Sequence, residues 1–214
     1  MDSLTENWDL ILKGFWETLK LLGASGALAL VIGTVVGIAR VSPVAILRRS
    51  GATYVRLFRN TPLVVLIILT YYGLPEIGID FGFFIMVTLA MGLYTASFVA
   101  ECIRSGVNGI PLGQAEAARS IGMPFGMTMT QVILPQSFRL VVPPLASVFI
   151  ALTKNTSLAA GFGIAEATFR LRGLLNDYAT ERIVVFLGIA LGYIVIVELI
   201  SFVANRLERR WAVS

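Results

Sequence analysis

Residues Thr153 to Ser157 read Thr-Lys-Asn-Thr-Ser. Lys154 supplies one cation, and Thr153, Asn155, Thr156 and Ser157 supply hydroxyl or amide groups, inside a run from Leu140 to Ala165 that carries no other charge. Such a set suits recognition rather than bond breaking. A carboxylate in a dry site needs a compensating cation or several donors. A Lys at mid-bilayer costs about 2.5–3.5 kcal/mol on insertion scales, which favours a water-filled or protein-lined place for Lys154. The other reading is that Lys154 snorkels to an interface while Thr and Ser merely pack helices.

A second polar stretch, "GQAEAARSIGMPFGMTMTQVILPQ", runs from Gly113 to Gln136. Gly113 and Gln114 open a short helical segment with one acid, Glu116, and one base, Arg119. Ala115, Ala117 and Ala118 leave a small, flat surface suited to close docking on another protein. Gly122 can adopt a left-handed stop, and Pro124 prevents continuation. Leu134-Pro135 marks re-entry toward an apolar run. A helix of about two turns is not stable alone in water, so this one must be held by its own neighbours or by a partner. The alternative is an ordinary loop helix with Ala chosen for propensity.

Other chemistries lack their parts. There is one cysteine, Cys102, and no histidine, which excludes an internal disulfide and a Ser–His–Asp triad and argues against a zinc site. Asp80 and Asp177, the candidates for an aspartyl protease, fall in expected loops. No GxxxxGK[ST] stretch is present, so the chain has no phosphate loop of its own.

These residues must be positioned by membrane-spanning helices. The chain is 57% hydrophobic and only 14% charged, where a soluble domain carries about a quarter charged residues. Leu21–Ala39 and Phe81–Ala100 contain no charge and are long enough to cross a hydrocarbon core of about 30 Å. Asn60–Pro75 is short but uncharged, and Ile183–Asn205 is interrupted only by Glu198. The expectation is an all-α integral membrane protein forming a single transmembrane domain. Its five spans lie at about 14–40, 60–76, 81–103, 138–165 and 183–207, with a short helix at 113–122 between the third and fourth. Asn60 or Thr61 is expected to cap the second span. Gly33/Gly37 and Gly188/Gly192 are small-residue faces for close helix approach, within the subunit or at a dimer seam.

The acidic start, "MDSLTENWD", is unlike a cleavable signal, and Trp8 and Trp16 read as interfacial anchors. Arg40, Arg48, Arg49, Arg56, Arg59, Arg104, Arg119, Arg139, Arg206, Arg209 and Arg210 fall on one side of the five-span arrangement. They outnumber Lys13, Lys20, Lys154, Arg170, Arg172 and Arg182 on the other. The positive-inside rule then places the N-terminus outside and the C-terminus inside. The basic excess needs no nucleic-acid partner. The loop from 40 to 59 and the 113–122 segment fall inside, and "RLRGLLNDYATER" falls outside.

Glu116-Ala117-Ala118, Gly122 and Leu134-Pro135 resemble the EAA motif of ABC-importer permeases, with Val132 where that family has Ile. "FRNTPLVV", "TASFVAECIRSGVNGIPLGQAEAARSIGM" and "ALTKNTSLAAGFG" are similar to the polar amino-acid (His/Arg/Gln/Glu) branch, most of all to actinobacterial glutamate permeases. The resemblance implies a multi-pass permease in a bacterial cytoplasmic membrane, non-catalytic and without a cofactor of its own. Its implied partners are a pair of cytoplasmic ATP-binding subunits that use ATP and Mg, a second permease subunit and an extracellular amino-acid-binding protein. Gly113, Gln114, Glu116, Ala117, Ala118, Arg119, Gly122, Leu134 and Pro135 would then couple to the ATPase. Thr153, Lys154, Asn155, Thr156 and Ser157 would lie along a path for glutamate or glutamine. The alternatives on the residues alone are a stand-alone secondary transporter or channel, and a membrane scaffold subunit.

Overall fold

The structure, a computed structural model, describes residues 2–211, and within them it is helical with no strand. The side chain of Arg210, counted above on the basic side, lies outside the described residues. A short α1 (Asp2–Glu6) leads into the long α2 (Trp8–Val41). α2 ends where Ser42 turns extended and Pro43 follows. α3 (Ala45–Asn60) comes next, then a composite of α4 (Leu63–Ile68), a π turn (Leu69–Gly73) and α5 (Leu74–Glu76). α6 (Phe83–Asn108), α7 (Leu112–Ser120) and α8 (Phe125–Met127) follow. A π turn (Thr128–Ile133) joins α8 to α9 (Leu134–Asn155), which tightens into a 3₁₀ segment (Thr156–Phe162). α10 (Ala167–Asp177) and α11 (Arg182–Trp211) close the chain.

Four helical runs are long and apolar enough to cross a membrane: α2, α6, the run Phe125–Phe162 and α11. α3 with the α4–α5 composite makes a further candidate, bent by 99°. The expected loop at 40–59 is therefore mostly helix. Gly51 and Val55 bury one face of α3 against its neighbours, and Gly51 lets the Arg40 stem and the Val36 carbonyl come close. The four arginines of α3 hide that face in a hydropathy profile. Its Arg48 guanidinium donates to the carbonyls of Ser42 (3.0 Å) and Pro43 (2.7 Å), just past the end of α2.

Three further boundaries differ from expectation. Thr61 donates its hydroxyl to the Leu57 carbonyl at 2.8 Å, closing α3 instead of capping the second span. The fourth helical run starts at Phe125 rather than near 138. Pro135 sits in the first turn of α9, behind a π turn whose wider spacing accommodates the missing amide. The loop expected at "RLRGLLNDYATER" is partly α10, whose Ala167 and Leu174 are buried.

Glycines set the central seam. A Cβ on Gly33 would stand 2.6 Å from Val99, one on Gly37 2.9 Å from Ile103, and one on Gly92 2.5 Å from Leu28. α2 and α6 thus meet almost backbone to backbone, where packing rather than water exclusion drives helix association. Gly188 and Gly192 face Leu4 and Phe15 in the same manner. Both small-residue faces are therefore spent inside the subunit. Leu21, Ile67, Val87, Met91 and Leu152 form the central core, and Ile11, Ala167, Leu174, Val185 and Ile189 a second cluster nearer the N-terminus of α2.

Candidate coupling segment and translocation groove

α7 is closed by a Schellman pair. The Met123 amide donates to the Ala118 carbonyl at 3.1 Å and the Gly122 amide to that of Arg119 at 2.9 Å. Gly122 stands at φ +84°, the left-handed stop read from the sequence. The helix proper ends at Ser120 because Gly122 belongs to the turn. Ala118, 5% exposed, is the residue of α7 that is buried, and the helix packs on the Thr128–Ile133 turn. Gly113, Gln114, Glu116, Ala117 and Arg119 are all exposed. Apolar side chains frame them: Leu112 is 81% exposed, Ile121 78% and Phe125 61%. Glu116 lies in the second turn, since the first holds no acid. It makes no ion pair among the described residues. Leu134 and Pro135 are exposed at the start of α9. The segment therefore presents a small polar helix flanked by large exposed apolar groups.

The five residues of Thr153–Ser157 do not converge on one place, although Lys154 and Ser157 line the same groove. Thr153 and Thr156 are fully buried and donate their hydroxyls to the carbonyls of Phe149 (2.9 Å) and Thr153 (2.7 Å). Ser157 donates to the Lys154 carbonyl at 2.7 Å. Lys154 is exposed and lines an apolar groove with Phe186, Ile189 and Tyr193. Asn155 lines another groove, of about 400 Å³, with Tyr94, Thr95, Phe98 and Ser147. A turn of about 100° per residue is enough to send neighbours 154 and 155 to different sides.

Two charged clusters tie the scaffold together. Glu101 on α6 accepts from Arg40 on α2, and from Arg104 at 2.5 and 3.0 Å. Glu166, fully buried, is missed by sequence reasoning. It caps α10 by accepting from the Phe169 amide at 2.9 Å, and it accepts from the Tyr193 hydroxyl at 2.5 Å. The Thr18 hydroxyl lies 3.4 Å away. α2, α10 and α11 are thus pinned at one carboxylate. Its only sequence signal is a lone acid between the apolar run and "ATFRLRGLL", and Glu is not among the favoured caps.

Comparison with known proteins agrees with this architecture. The family described as binding-protein-dependent transport system inner membrane component matches residues 29–213. The glutamate transport system permease protein GluC of Corynebacterium glutamicum is 37% identical over 216 residues, covering 95% of each chain. The probable glutamine ABC transporter permease protein GlnM of Bacillus subtilis is 33% identical, covering 97% of this chain and 95% of its own. Among solved structures, an amino acid ABC transporter with histidines superposes with a TM-score of 0.89 at 29% identity, over 97% of both chains. The MetNI methionine ABC transporter superposes at 0.79 with 23% identity and supports the fold alone. With its apolar spans, its EAA-type segment and matches along nearly its whole length, this chain belongs to the family of binding-protein-dependent transport system inner membrane components, the multi-pass permeases of ABC importers.

Proposed function

We propose that this chain is the permease of an importer for an acidic or amide amino acid, glutamate before glutamine. The near full-length similarity to a glutamate permease and a glutamine permease supports that substrate class. In this reading five spans place the N-terminus outside and α7 in the cytoplasm. The observation that carries the coupling role is α7 itself, a helix with a fixed left-handed exit and exposed Leu112 and Ile121. It seats on a cytoplasmic ATP-binding subunit, where ATP and Mg bind. Closure of the ATPase pair is transmitted through α7 and the Thr128–Ile133 turn to α9. A binding protein delivers the amino acid at the opposite face.

A second permease subunit covers part of α11. Glu198 is exposed among Ile194, Val195, Leu199 and Phe202, themselves exposed. A carboxylate facing acyl chains at that depth is costly, so protein or a water-filled path lies against it. Asn155, with Tyr94 and Ser147, is this subunit's contribution to the path, and Lys154 faces the groove on the other side. The test is co-expression with candidate ATPase and binding-protein partners, followed by ATPase assays with glutamate, glutamine, arginine and histidine. Substrate-stimulated turnover by the complex, and none by the isolated chain, is the expected result. Stimulation only by arginine or histidine would overturn the substrate class.

A further inference from the structure

α3 has three faces of different chemistry. Its inward face is held by the buried Gly51 and Val55, and the Tyr54 hydroxyl fastens it to α6 by donating to the Leu93 carbonyl at 2.7 Å. Arg49 and Arg56 stand two helical turns apart and so share a second face. Both are exposed, and neither makes an ion pair among the described residues. α3 itself contains no acid to neutralise them. Ile46 and Leu57 stand three turns apart and share a third face, with Thr53 between them. Ile46 is 67% exposed and Leu57 61%. Water disfavours the third face, and a hydrocarbon interior disfavours the second. The path of the chain meets both demands. α3 is bent by 99° from the apolar α4–α5 composite, so where that composite enters the membrane, α3 runs along the membrane surface.

We propose that α3 is an interfacial helix that lies in the headgroup layer and binds anionic phospholipid. Ile46 and Leu57 dip toward the acyl chains, and Arg49 and Arg56 take the headgroup phosphates. A helix with basic residues on one face and exposed apolar residues on the next has the make-up of one that lies in the plane of the interface. A guanidinium matches a phosphate with two parallel hydrogen bonds, and an anionic leaflet attracts basic segments that border a span. Arg48 is already spent on the Ser42 and Pro43 carbonyls, which leaves Arg49 and Arg56 for the lipid. This role holds for any imported substrate.

The test places a bimane fluorophore on α3 through Thr53→Cys, an exposed position, with the buried Cys102→Ala making the label unique. The labelled chain, in complex with its ATPase and second permease, is reconstituted into phosphatidylcholine nanodiscs. Increasing mole fractions of nitroxide-labelled phosphatidylglycerol or nitroxide-labelled phosphatidylcholine are then included. Both lipids should quench the fluorophore, and phosphatidylglycerol should reach half-quenching at a mole fraction roughly fivefold lower. The double variant Arg49→Gln/Arg56→Gln should bring that ratio near one while phosphatidylcholine still quenches. Raising salt to about 0.5 M should shrink the ratio of the parent complex by screening. Elution as an intact complex checks assembly. If the double variant does not assemble, the salt series on the parent carries the test. Absence of quenching by either lipid, whether the ATPase covers α3 or it stands in water, overturns the interfacial placement. A parent ratio near one, or a ratio unaltered in the assembled variant or by salt, overturns the headgroup contact.

Discussion

Gly122→Val isolates the exit of α7 from everything else in the molecule. Gly122 stands at φ +84°, and a Cβ added there meets nothing within 4 Å. The cost of a side chain is therefore backbone strain and not crowding. An L-residue in the left-handed region loses about 1–2 kcal/mol, and a β-branched one is a genuine outlier there. At about 1.4 kcal/mol per factor of ten, that shifts the balance toward a displaced exit by roughly five- to thirtyfold. The two hydrogen bonds that close α7, from Met123 and Gly122, would be lost in the displaced form. Insertion should be unaffected. Affinity for the ATPase subunit, measured by titrating it onto the detergent-solubilised permease, should fall in the order Gly, Asn, Ala, Val. Asn is the decisive variant, because it fills nearly the volume of Val yet tolerates positive φ. If Gly122→Asn is as damaging as Gly122→Val, the loss comes from a side-chain clash with the partner, and the strain argument is wrong. Wild-type affinity in Gly122→Val would remove the coupling role from this turn.

Glu116→Lys should weaken ATPase association at least tenfold through charge reversal on the exposed face of α7, with little contribution from the helix dipole, which fades beyond the first turn; normal pull-down would refute this. Glu166→Ala should lower the unfolding temperature of the purified chain more than Glu166→Gln. Loss of the acceptor strands the Phe169 amide and leaves the Tyr193 hydroxyl only its contact with Thr168, at about 1–3 kcal/mol for an unsatisfied polar group, and equal small shifts would count against the pin. Gly33→Leu should abolish a folded peak on gel filtration, since its Cβ would stand 2.6 Å from Val99, whereas Gly23→Leu meets nothing within 4 Å and should be tolerated. The Ser3 hydroxyl, 2.5 Å from Glu181, helps hold that carboxyl down at about 2. The tie therefore stabilises above the ordinary carboxylate value of about 4.3 and is lost as pH falls toward 2. Ser3→Ala should lower the unfolding temperature at pH 6 and progressively less on acidification, and a pH-independent difference would refute the linkage.

Much of this protein was legible without coordinates because a bilayer imposes one dominant rule. A crossing segment must satisfy its own backbone and carry few charges. Apolar length alone therefore revealed the runs containing Leu21–Ala39, Phe81–Ala100 and Ile183–Asn205. The stop at Gly122 was equally local, since only the backbone of one residue decides it. Glu116, Ala117 and Ala118 fell on one short helix because their spacing is shorter than any tertiary uncertainty, whereas Leu134 and Pro135 open α9.

What the sequence left open depended on direction and on partners distant in the chain. One face of α3 is buried only because α2 and α6 cover it, so its arginines read as a loop. Neighbours Lys154 and Asn155 looked like one polar site, and the rotation of α9 sends them into separate grooves. Glu166 meets Thr18 on α2 and Tyr193 on α11 across 148 and 27 positions of sequence, pairings that no local pattern encodes. The sequence by itself determined which segments are apolar enough to cross a membrane and where α7 stops, because both follow from solvation and backbone sterics. Tertiary structure alone decided which polar groups share a cavity, because that depends on how helices rotate and cross once glycines let them touch.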